Sequence, residues 1–394
     1  ASLHAPASRC APPEDLSARV DAARASLTEI ERLANEARYE EAYALAVEAE
    51  AVLGDDPALA EWLEEVSERV TVRSEPSGAT VRAVVFRPDA VARGETPEPV
   101  TLGVTPLEGV RLSRAERLVT VEAPGYAPVE RIASTGFIRM QRVWDLDPQL
   151  VLEVELTPAD EVPEGMVWIP GASHTLISAD APAGAEADLA GFFIDRFEVT
   201  NAEYLEFIRA SGYDDPDLAG LEDRTGLPGP RGWSGQRFPE GEARHPVSSV
   251  SWAEADAFCR WREGALPTVF EWERAARDVI SARQEGFVLP WGIVRAGEST
   301  DLRANYGGSG TVAVDAYPFG ISPFGAYAMA GNVREWTANP AGEGYIAMGG
   351  SWQDPPYIFS SIATPDPASA SSTLGFRCVR REVGTEAQGG GPIN

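Results

Sequence analysis

Lysine is absent from this chain of 394 residues: all 33 basic side chains are arginine. Also absent is an uninterrupted run of about 18 apolar residues, so the sequence predicts no membrane-spanning helix. The formal net charge of −28 argues against nucleic-acid binding, because affinity for phosphate depends on clustered cations. A surface this acidic favours basic protein partners or divalent cations, or serves solubility alone.

Cysteine is scarce as well, since the chain has only Cys10, Cys259 and Cys378. By contrast, 44% of the residues are hydrophobic and ten are tryptophan, which is typical of a globular protein. The length allows two or three domains, each with its own core. We therefore predict a globular multidomain protein. Its helical segment and its β-rich module make it an α+β multidomain chain.

Composition divides the chain into five segments. Residues 1–13 are predicted to be an N-terminal arm, 14–69 a helical segment, 70–157 a β-rich module, 158–382 a larger α+β domain and 383–394 a flexible Gly-rich tail. Because the chain begins with Ala rather than Met, we expect that a targeting segment has been removed.

The helical segment shows apolar residues near a 3.6-residue period, opposite a face of glutamates. These residues are Tyr39, Ala42, Leu45, Ala46, Ala49 and Leu53. Asp56 is a natural N-cap before Pro57, the first residue of the next helix. The pattern predicts a helical hairpin that resembles a single tetratricopeptide-type unit, and a helical spacer is the alternative.

The β-rich module consists of short apolar runs separated by Gly and Pro, as at 74–81, 103–107 and 119–126. Its β-branched residues alternate, which suits a sheet with one buried face. The runs resemble the PEGA domain. That resemblance implies a small β-sandwich and an extracytoplasmic bacterial protein.

Residues 164–380 carry an ordered series of short motifs rich in Gly, Pro and Trp. The series is Gly165-Met166-Val167-Trp168-Ile169-Pro170, Glu198-Val199-Thr200-Asn201, His245-Pro246-Val247, Leu266-Pro267-Thr268, Glu271-Trp272-Glu273, Pro290-Trp291-Gly292, Gly331-Asn332-Val333-Arg334-Glu335-Trp336, Gly349-Gly350-Ser351-Trp352 and Gly375-Phe376-Arg377-Cys378. It resembles the formylglycine-generating (sulfatase-modifying factor) domain family, whose irregular α/β fold is related to C-type lectins. Capped helices are expected to start at Thr200, at Ser251 or Trp252, and at Thr268.

Members of the resembled family that oxidise a substrate cysteine use two cysteines between the Gly-Gly-Ser and Gly-Phe-Arg motifs. Such thiolates hold copper(I), a soft ion that prefers sulfur ligands. Residues 353–374 of this chain contain no thiol, and the hydroxyls of Ser360 and Ser361 are too hard to replace one. We therefore expect this chain to have the fold of the family but not its oxidation chemistry. No catalytic residue and no enzyme activity are expected.

The same resemblance implies a disulfide between Cys259 and Cys378, and two buried free thiols are the alternative. A disulfide would imply an oxidising compartment. Cys10 follows Arg9, which makes a poor lipoprotein cleavage signal, so its state stays open.

The resemblance also implies a weak calcium site, and no other cofactor is expected. The candidate ligands are Asn305, Tyr306, Gly331, Val333 and Glu335. Ala328 stands where the family usually supplies a side-chain oxygen, whereas Ca²⁺ requires six to eight oxygen ligands. We therefore expect weakened or absent binding, with Glu335 a buried hydrogen-bonding anchor instead.

The segment that follows Gly-Gly-Ser-Trp lies at the ligand surface of the resembled fold. It carries Trp352, Asp354, Tyr357, Ile358 and Phe359 among prolines. Exposed rigid aromatics suit a protein interface, because they bury area at little entropic cost. Alternatively, these side chains fill a vacated active-site cleft.

These features predict a non-catalytic structural or adaptor subunit on the periplasmic or extracellular face of a bacterial envelope. It would dock onto a membrane-bound photosynthetic, respiratory, secretion or signalling complex, without binding nucleic acid. A peptide- or glycan-binding module of lectin-like fold is the alternative. An oxidoreductase of altered chemistry would need polar groups that converge near Asn332, Arg334 and Asp354.

Overall fold

The computed structural model describes residues 13–95, 97–133, 150–178, 180–182, 184–210, 212–218, 221–277, 288–293 and 300–381. The predicted arm up to residue 12, with Cys10, and the predicted tail 383–394 lie outside the described residues. The chain divides into two compact units. The first comprises Ala1–Ser77, Gly103–Glu116 and Ala133–Val154, and the second comprises Gly78–Leu102, Arg117–Ile132 and Glu155–Asn394.

Three helices and a three-stranded sheet account for most of the described part of the first unit. The helices are α1 (Pro13–Asn35), α2 (Tyr39–Leu53) and α3 (Pro57–Val66), and the strands β1 (Ser67–Glu75), β4 (Leu107–Ser113) and β7 (Leu150–Glu155) follow the order β4-β1-β7. All three helices contribute to one apolar core that includes Ile30, Ala46 and Leu59. The segment is thus a three-helix array rather than the predicted hairpin.

The start of α3 and the buried face of α2 agree with the predictions from sequence. The Asp56 carboxylate accepts the backbone N–H groups of Ala58 at 3.0 Å and Leu59 at 3.3 Å, so it caps α3. Ala46 and Ala49 of α2 are buried. The periodic pattern therefore identified the buried face of α2 correctly.

A four-stranded sheet, most of it in the second unit, follows the order β3-β2-β5-β6. Its strands are β2 (Thr80–Val85), β3 (Val100–Val104), β5 (Arg117–Glu122) and β6 (Val129–Ala133), and a short helix α4 (Pro88–Ala92) follows β2. Val81 lies opposite Val121 and Ala83 opposite Val119, and all four are buried. Alternation therefore gives this sheet one buried face, while its assignment to the PEGA family stays a prediction.

Three capped helices lie in the remainder of the second unit: α5 (Asn201–Arg209), α6 (Trp252–Trp261) and α7 (Val269–Ala276). Each begins with a reciprocal capping box, formed by Thr200 with Glu203, Ser251 with Glu254 and Thr268 with Glu271. The boxes satisfy backbone N–H groups that a helix start leaves unpaired. All three predicted helix starts are confirmed.

Short strands complete this unit. They are β8 (Met166–Ile169), β9 (Ala172–Thr175), β10 (Glu186–Leu189), β11 (Phe192–Asp195), β12 (Val288–Leu289), β13 (Gly292–Ile293), β14 (Arg334–Ala341), β15 (Gly344–Met348), β16 (Leu374–Gly375) and β17 (Val379–Arg381). Two three-stranded sheets, β17-β11-β8 and β15-β14-β16, are accompanied by the pairs β10-β9 and β12-β13. The architecture is the predicted irregular mixture of α and β structure.

Aromatic side chains form much of the core of this domain. Tyr204 stacks on Phe258 with ring centroids 5.5 Å apart, and Trp272 and Trp336 are almost fully buried. Aromatic contacts of this kind add to the free energy of burial. Among the described helices, none is both long and apolar enough to cross a membrane.

Candidate functional site

A disulfide joins α6 to the residue that precedes β17. Cys259 and Cys378 are bonded, with Cα atoms 5.5 Å apart and a sequence separation of 119. Both residues belong to one apolar cluster with Tyr204 and Phe376. The predicted pairing is therefore confirmed, and these sulfur atoms are not free thiols.

The Glu335 carboxylate is completely engaged by buried donors. It accepts hydrogen bonds from Nε and Nη2 of Arg377 and from Nε1 of Trp272, each at 2.7 Å. Arg377 also donates to the backbone carbonyls of Asp195 at 3.0 Å and Tyr327 at 2.9 Å. Burial of these charges is tolerated because every charged atom has a partner.

Asn332 connects three neighbouring segments. Its side chain donates to Glu198 at 2.7 Å and accepts the backbone N–H of Val312 at 3.0 Å. Its backbone N–H donates to the carbonyl of Asn305, and its own carbonyl accepts the backbone N–H of Trp352, both at 2.9 Å. With a φ of +56°, it occupies the left-handed region that Asn tolerates.

Glu198 lies in an environment that disfavours its charge. Burial raises the pKa of its carboxyl to about 8, and the charge of Glu335 adds to the shift. Burial also raises the pKa of Asp195 to about 6, against the charge of Arg262 and the backbone N–H of Cys378. Both residues line a cavity of about 320 Å³, together with Thr200. Sequence reasoning missed this cavity, because it is formed by segments that are distant along the chain.

The surface after the Gly-Gly-Ser-Trp motif is a short 3₁₀ turn, Pro356–Ser360. Tyr357 on this turn is 67% exposed, whereas Phe359 is 1% exposed and packs near Trp272. Phe359 is therefore a core residue, and the prediction that placed it on the binding face is corrected. The two side chains leave the turn on opposite sides, so Phe359 points to the apolar interior while Tyr357 points to solvent.

Asp354 holds the start of this turn in place. Its Oδ2 accepts the backbone N–H of Ser351 at 2.9 Å, the hydroxyl of Ser351 at 2.7 Å and Nη2 of Arg334 at 2.9 Å. Trp352 is half-buried, and its Nε1 donates to the carbonyl of Ser372 at 3.2 Å. We name Trp352, Asp354, Tyr357 and Ile358 the turn surface.

Comparison with known proteins decides the family. The family model described as the sulfatase-modifying factor enzyme 1-like domain matches residues 153–382, which is more than half of the chain. The chain belongs to this family. The motifs that contain Asn332, Glu335 and Cys378 therefore form part of the structural framework of a sulfatase-modifying factor enzyme 1-like domain.

Relatives in this family differ in what their names say they do. The inactive C-alpha-formylglycine-generating enzyme 2 of Mus musculus is 32% identical over 54% of this chain and 84% of its own length. The hercynine oxygenase of Mycolicibacterium smegmatis is 38% identical over 39% of this chain, but this match covers only 38% of the oxygenase. The formylglycine-generating enzyme of Mus musculus is 27% identical over 58% of this chain and 77% of its own length. Among solved structures, CarF aligns with a TM-score of 0.40 and 23% identity over 55% of this chain and 98% of CarF.

These relatives correct one prediction. The expectation that the chain is not an enzyme is wrong, because its relatives include formylglycine-generating enzymes and hercynine oxygenases as well as an inactive member. The error came from treating one pair of thiols as the condition for all chemistry in this domain family. The missing thiol pair argues only against the oxidation of cysteine by thiolate-bound copper(I). It does not argue against other reactions.

The residues of this sulfatase-modifying factor enzyme 1-like domain do not fit copper(I). Cys259 and Cys378 are joined to each other, and residues 353–374 contain no cysteine. A soft ion would find oxygen and nitrogen donors instead of thiolates on the turn surface. We therefore assign no step to copper.

The candidate calcium ligands do not form one site either. Glu335 already accepts three N–H bonds, and the Asn305 side chain donates to the carbonyl of Gly310 at 2.9 Å. The Tyr306 hydroxyl donates to the carbonyl of Gly349 at 2.9 Å. Across the described part of the chain, no group of three or more His, Cys, Asp or Glu side chains is arranged to hold a metal ion. These donors do not fit Ca²⁺, which needs several charged oxygens.

Gly331, another calcium candidate, has a structural reason to be glycine. A Cβ atom at this position would lie 2.5 Å from the carbonyl oxygen of Asn305, and the backbone φ is +79°. The next candidate, Val333, donates its backbone N–H to Glu198 at 3.1 Å. Both residues thus support the chain around Asn332.

Sequence reasoning missed a second buried polar cluster. The Glu273 carboxylate accepts the Ser178 hydroxyl at 2.5 Å and the backbone N–H of Ile177 at 2.8 Å, and it pairs with Arg277. It also shares a 3.1 Å hydrogen bond with Nε2 of His174. The only signal in the sequence was the Glu-Trp-Glu motif, which does not reveal partners almost 100 residues away.

Proposed function

We propose that this chain is an extracytoplasmic adaptor subunit that docks onto a larger bacterial envelope complex through its turn surface. The observation that carries the proposal is Tyr357, a large aromatic side chain that is 67% exposed. Exposed aromatic residues on a rigid support are typical anchors of protein interfaces. The proposal concerns binding, and it is independent of whether the domain also turns over a substrate.

The support beneath Tyr357 favours this proposal. Phe359 is buried under the turn, and the guanidinium of Arg277 lies 5.1 Å from the centre of its ring. Asp354 fixes the other end through Ser351 and Arg334. Because the turn is ordered before binding, an interface here costs little conformational entropy.

Charge and compartment support the same proposal. The net charge of −28 favours a partner with a basic surface, since opposite charges steer association. The Cys259–Cys378 disulfide favours an oxidising compartment such as the periplasm. Photosynthetic, respiratory, secretion and signalling complexes of the envelope all remain candidates for the partner.

A photo-crosslinking experiment tests the proposal. A photo-reactive amino acid at the exposed position Gln353 is expected to capture a membrane-complex subunit in native envelopes, identified by mass spectrometry. Tyr357→Ala should weaken that capture by about 2 kcal/mol, roughly thirtyfold. Leu227→Ala, at another exposed apolar residue, is the control and should leave capture unchanged. Equal capture by the Tyr357 and Leu227 variants would contradict the proposal.

The alternative of a peptide- or glycan-binding module is less well supported by this surface. A lectin-like pocket near Trp352 and Tyr357 would need space beneath the turn. Phe359 fills that space and is 1% exposed. A shallow surface of this kind suits a protein partner better than a small glycan.

A second candidate function is an oxidoreductase of altered chemistry, favoured by the 38% identity to hercynine oxygenase. Arg334 and Asp354 form an ion pair at 2.9 Å beside the turn surface. Asn332 is 3% exposed and donates to Glu198, so it supports rather than joins this pair. Oxygen uptake with a cysteinyl peptide tests this candidate. Uptake that Asp354→Asn leaves unchanged would rule out this pair as its site.

A further inference from the structure

A groove in the second unit contains a guanidinium, that of Arg131, which has few partners among the described residues. Arg131 on β6 makes one hydrogen bond within the described residues, from Nη1 to the backbone carbonyl of Glu130 at 2.8 Å. An arginine carries five N–H donors in a planar fork. Burial lowers the pKa of Arg131 to about 10, which the nearby Glu130 opposes. Arg131 is half-buried, so its cation is only partly removed from water.

The neighbouring carboxylate does not neutralise Arg131 directly. Glu130 accepts the Tyr327 hydroxyl at 2.8 Å and pairs with Arg196. Glu155 also lines the groove but is exposed to solvent. No ion pair joins Arg131 to an acidic side chain in the part of the chain that the structure describes.

The walls of the groove are mixed, because apolar side chains lie beside the charged groups of Glu130, Glu155 and Arg196. Trp168, Val167, Phe324 and Pro128 line it together with Arg131. The space that remains is about 50 Å³, enough for roughly three to five water-sized groups. A carboxylate and the first carbons attached to it would occupy such a volume.

Gly325 borders this groove. A Cβ atom on Gly325 would lie 3.5 Å from Nη1 of Arg131 and 3.7 Å from Cγ1 of Val167. With a φ of +97°, the position also strains any other L-residue. The backbone conformation therefore favours glycine at this position beside the guanidinium of Arg131.

We propose that this groove binds a carboxylate carried on a short apolar body, with Arg131 as the anchoring residue. A planar guanidinium matches a carboxylate through two parallel hydrogen bonds. The apolar side chains of the groove would cover the adjoining carbons. The ligand can be a small monocarboxylate or the free C-terminus of a peptide that ends in an apolar residue.

Ligand-observed NMR on the full chain tests this site, with benzoate and propionate as probes and benzamide as the uncharged analogue. We expect both carboxylates to bind and benzamide not to compete. Arg131→Gln should weaken binding by roughly tenfold or more, or about 1.4 kcal/mol. Arg82→Gln is the matched control, because Arg82 lies on the same sheet but is exposed and paired with Glu122 at 3.0 Å. Binding that Arg131→Gln leaves unchanged, or that benzamide reproduces, would overturn the proposal.

A second measurement does not depend on the variant being folded. Phenylglyoxal modifies accessible arginines, and benzoate should slow modification of Arg131 in the unmutated chain, as read by peptide mass spectrometry. An unchanged rate at Arg131 would count against the site. Peptides with a free or an amidated apolar C-terminus distinguish the two sources of carboxylate: protection by the free form alone identifies a peptide end, and protection by benzoate alone identifies a small monocarboxylate.

Discussion

At the scale of single residues, the buried ion pair of Arg377 and Glu335 is held by a complete set of partners. Arg377 and Glu335 are 0% and 1% exposed, and the Trp272 indole completes the carboxylate's bonding. Desolvating two charges is costly, and the cost is offset only while both stay paired. Such a pair gives little net stability, but the loss of either partner leaves an uncompensated charge in the core.

Glu335→Gln is therefore expected to destabilise the domain by about 3–5 kcal/mol. Urea denaturation followed by tryptophan fluorescence measures the change. Asp315→Asn, which breaks the exposed pair with Arg244, is the control and should cost less than about 1 kcal/mol. Similar losses of unfolding free energy in both variants would show that burial of Glu335 does not increase the cost of removing its charge.

Glu273 provides a prediction about pH. Burial alone would raise its pKa, but the hydrogen bond with His174, the charge of Arg277 and the Ser178 hydroxyl bring the pKa down to about 2. A carboxyl whose folded pKa lies below its usual value of 4.5 stabilises the fold above that value. This contribution is lost as the pH falls from 4.5 towards 2.

In that acid range the free energy of unfolding should decrease by up to about 1.4 kcal/mol per pH unit through this group. Glu273→Gln should flatten that part of the profile, as measured by urea denaturation at a series of pH values. An acid profile with the same slope in the variant would show that other carboxyl groups cause it.

At the scale of elements, helix starts were the most predictable part of the fold. A capping box depends on residues three positions apart, so the sequence contains all the information that it needs. The same holds for the Asp56 cap and the alternation of Val119 and Val121. The hairpin prediction failed because the number of helices that pack together depends on their tertiary neighbours.

Thr268→Ala should destabilise the domain by about 1 kcal/mol, because the Glu271 backbone N–H at the start of α7 loses its side-chain acceptor. Chemical denaturation measures the effect. Ser17→Ala, on the exposed face of α1, should be nearly neutral. A loss at Ser17 equal to that at Thr268 would refute the capping explanation.

At the scale of the whole molecule, one covalent link closes a long loop of the C-terminal domain. Cys259 and Cys378 are 119 residues apart, and closing such a loop restricts the unfolded chain. The sequence indicated this pairing through the family motifs around both cysteines. The family assignment then followed from the same motifs.

Replacing both cysteines by alanine should lower the free energy of unfolding by roughly 4–5 kcal/mol in the chain-entropy model. Thermal unfolding with and without a reducing agent checks this. The reducing agent should destabilise the unmutated chain and leave the double variant unchanged. If reduction has no effect on the unmutated chain, the disulfide does not contribute to stability in solution.

The sequence by itself determined the features that depend on near neighbours or on ordered motifs: the capped helices, the one-sided strands, the paired cysteines and the family. Only the tertiary structure decided which side of the 356–360 turn faces solvent and why Arg377 pairs with Glu335. It also placed Arg131 in a groove where it makes one hydrogen bond within the described residues. The physical reason is that burial and hydrogen bonding of a side chain depend on segments far away in sequence. Phe359 and Tyr357 show this directly, since two aromatic residues in one short turn have opposite environments.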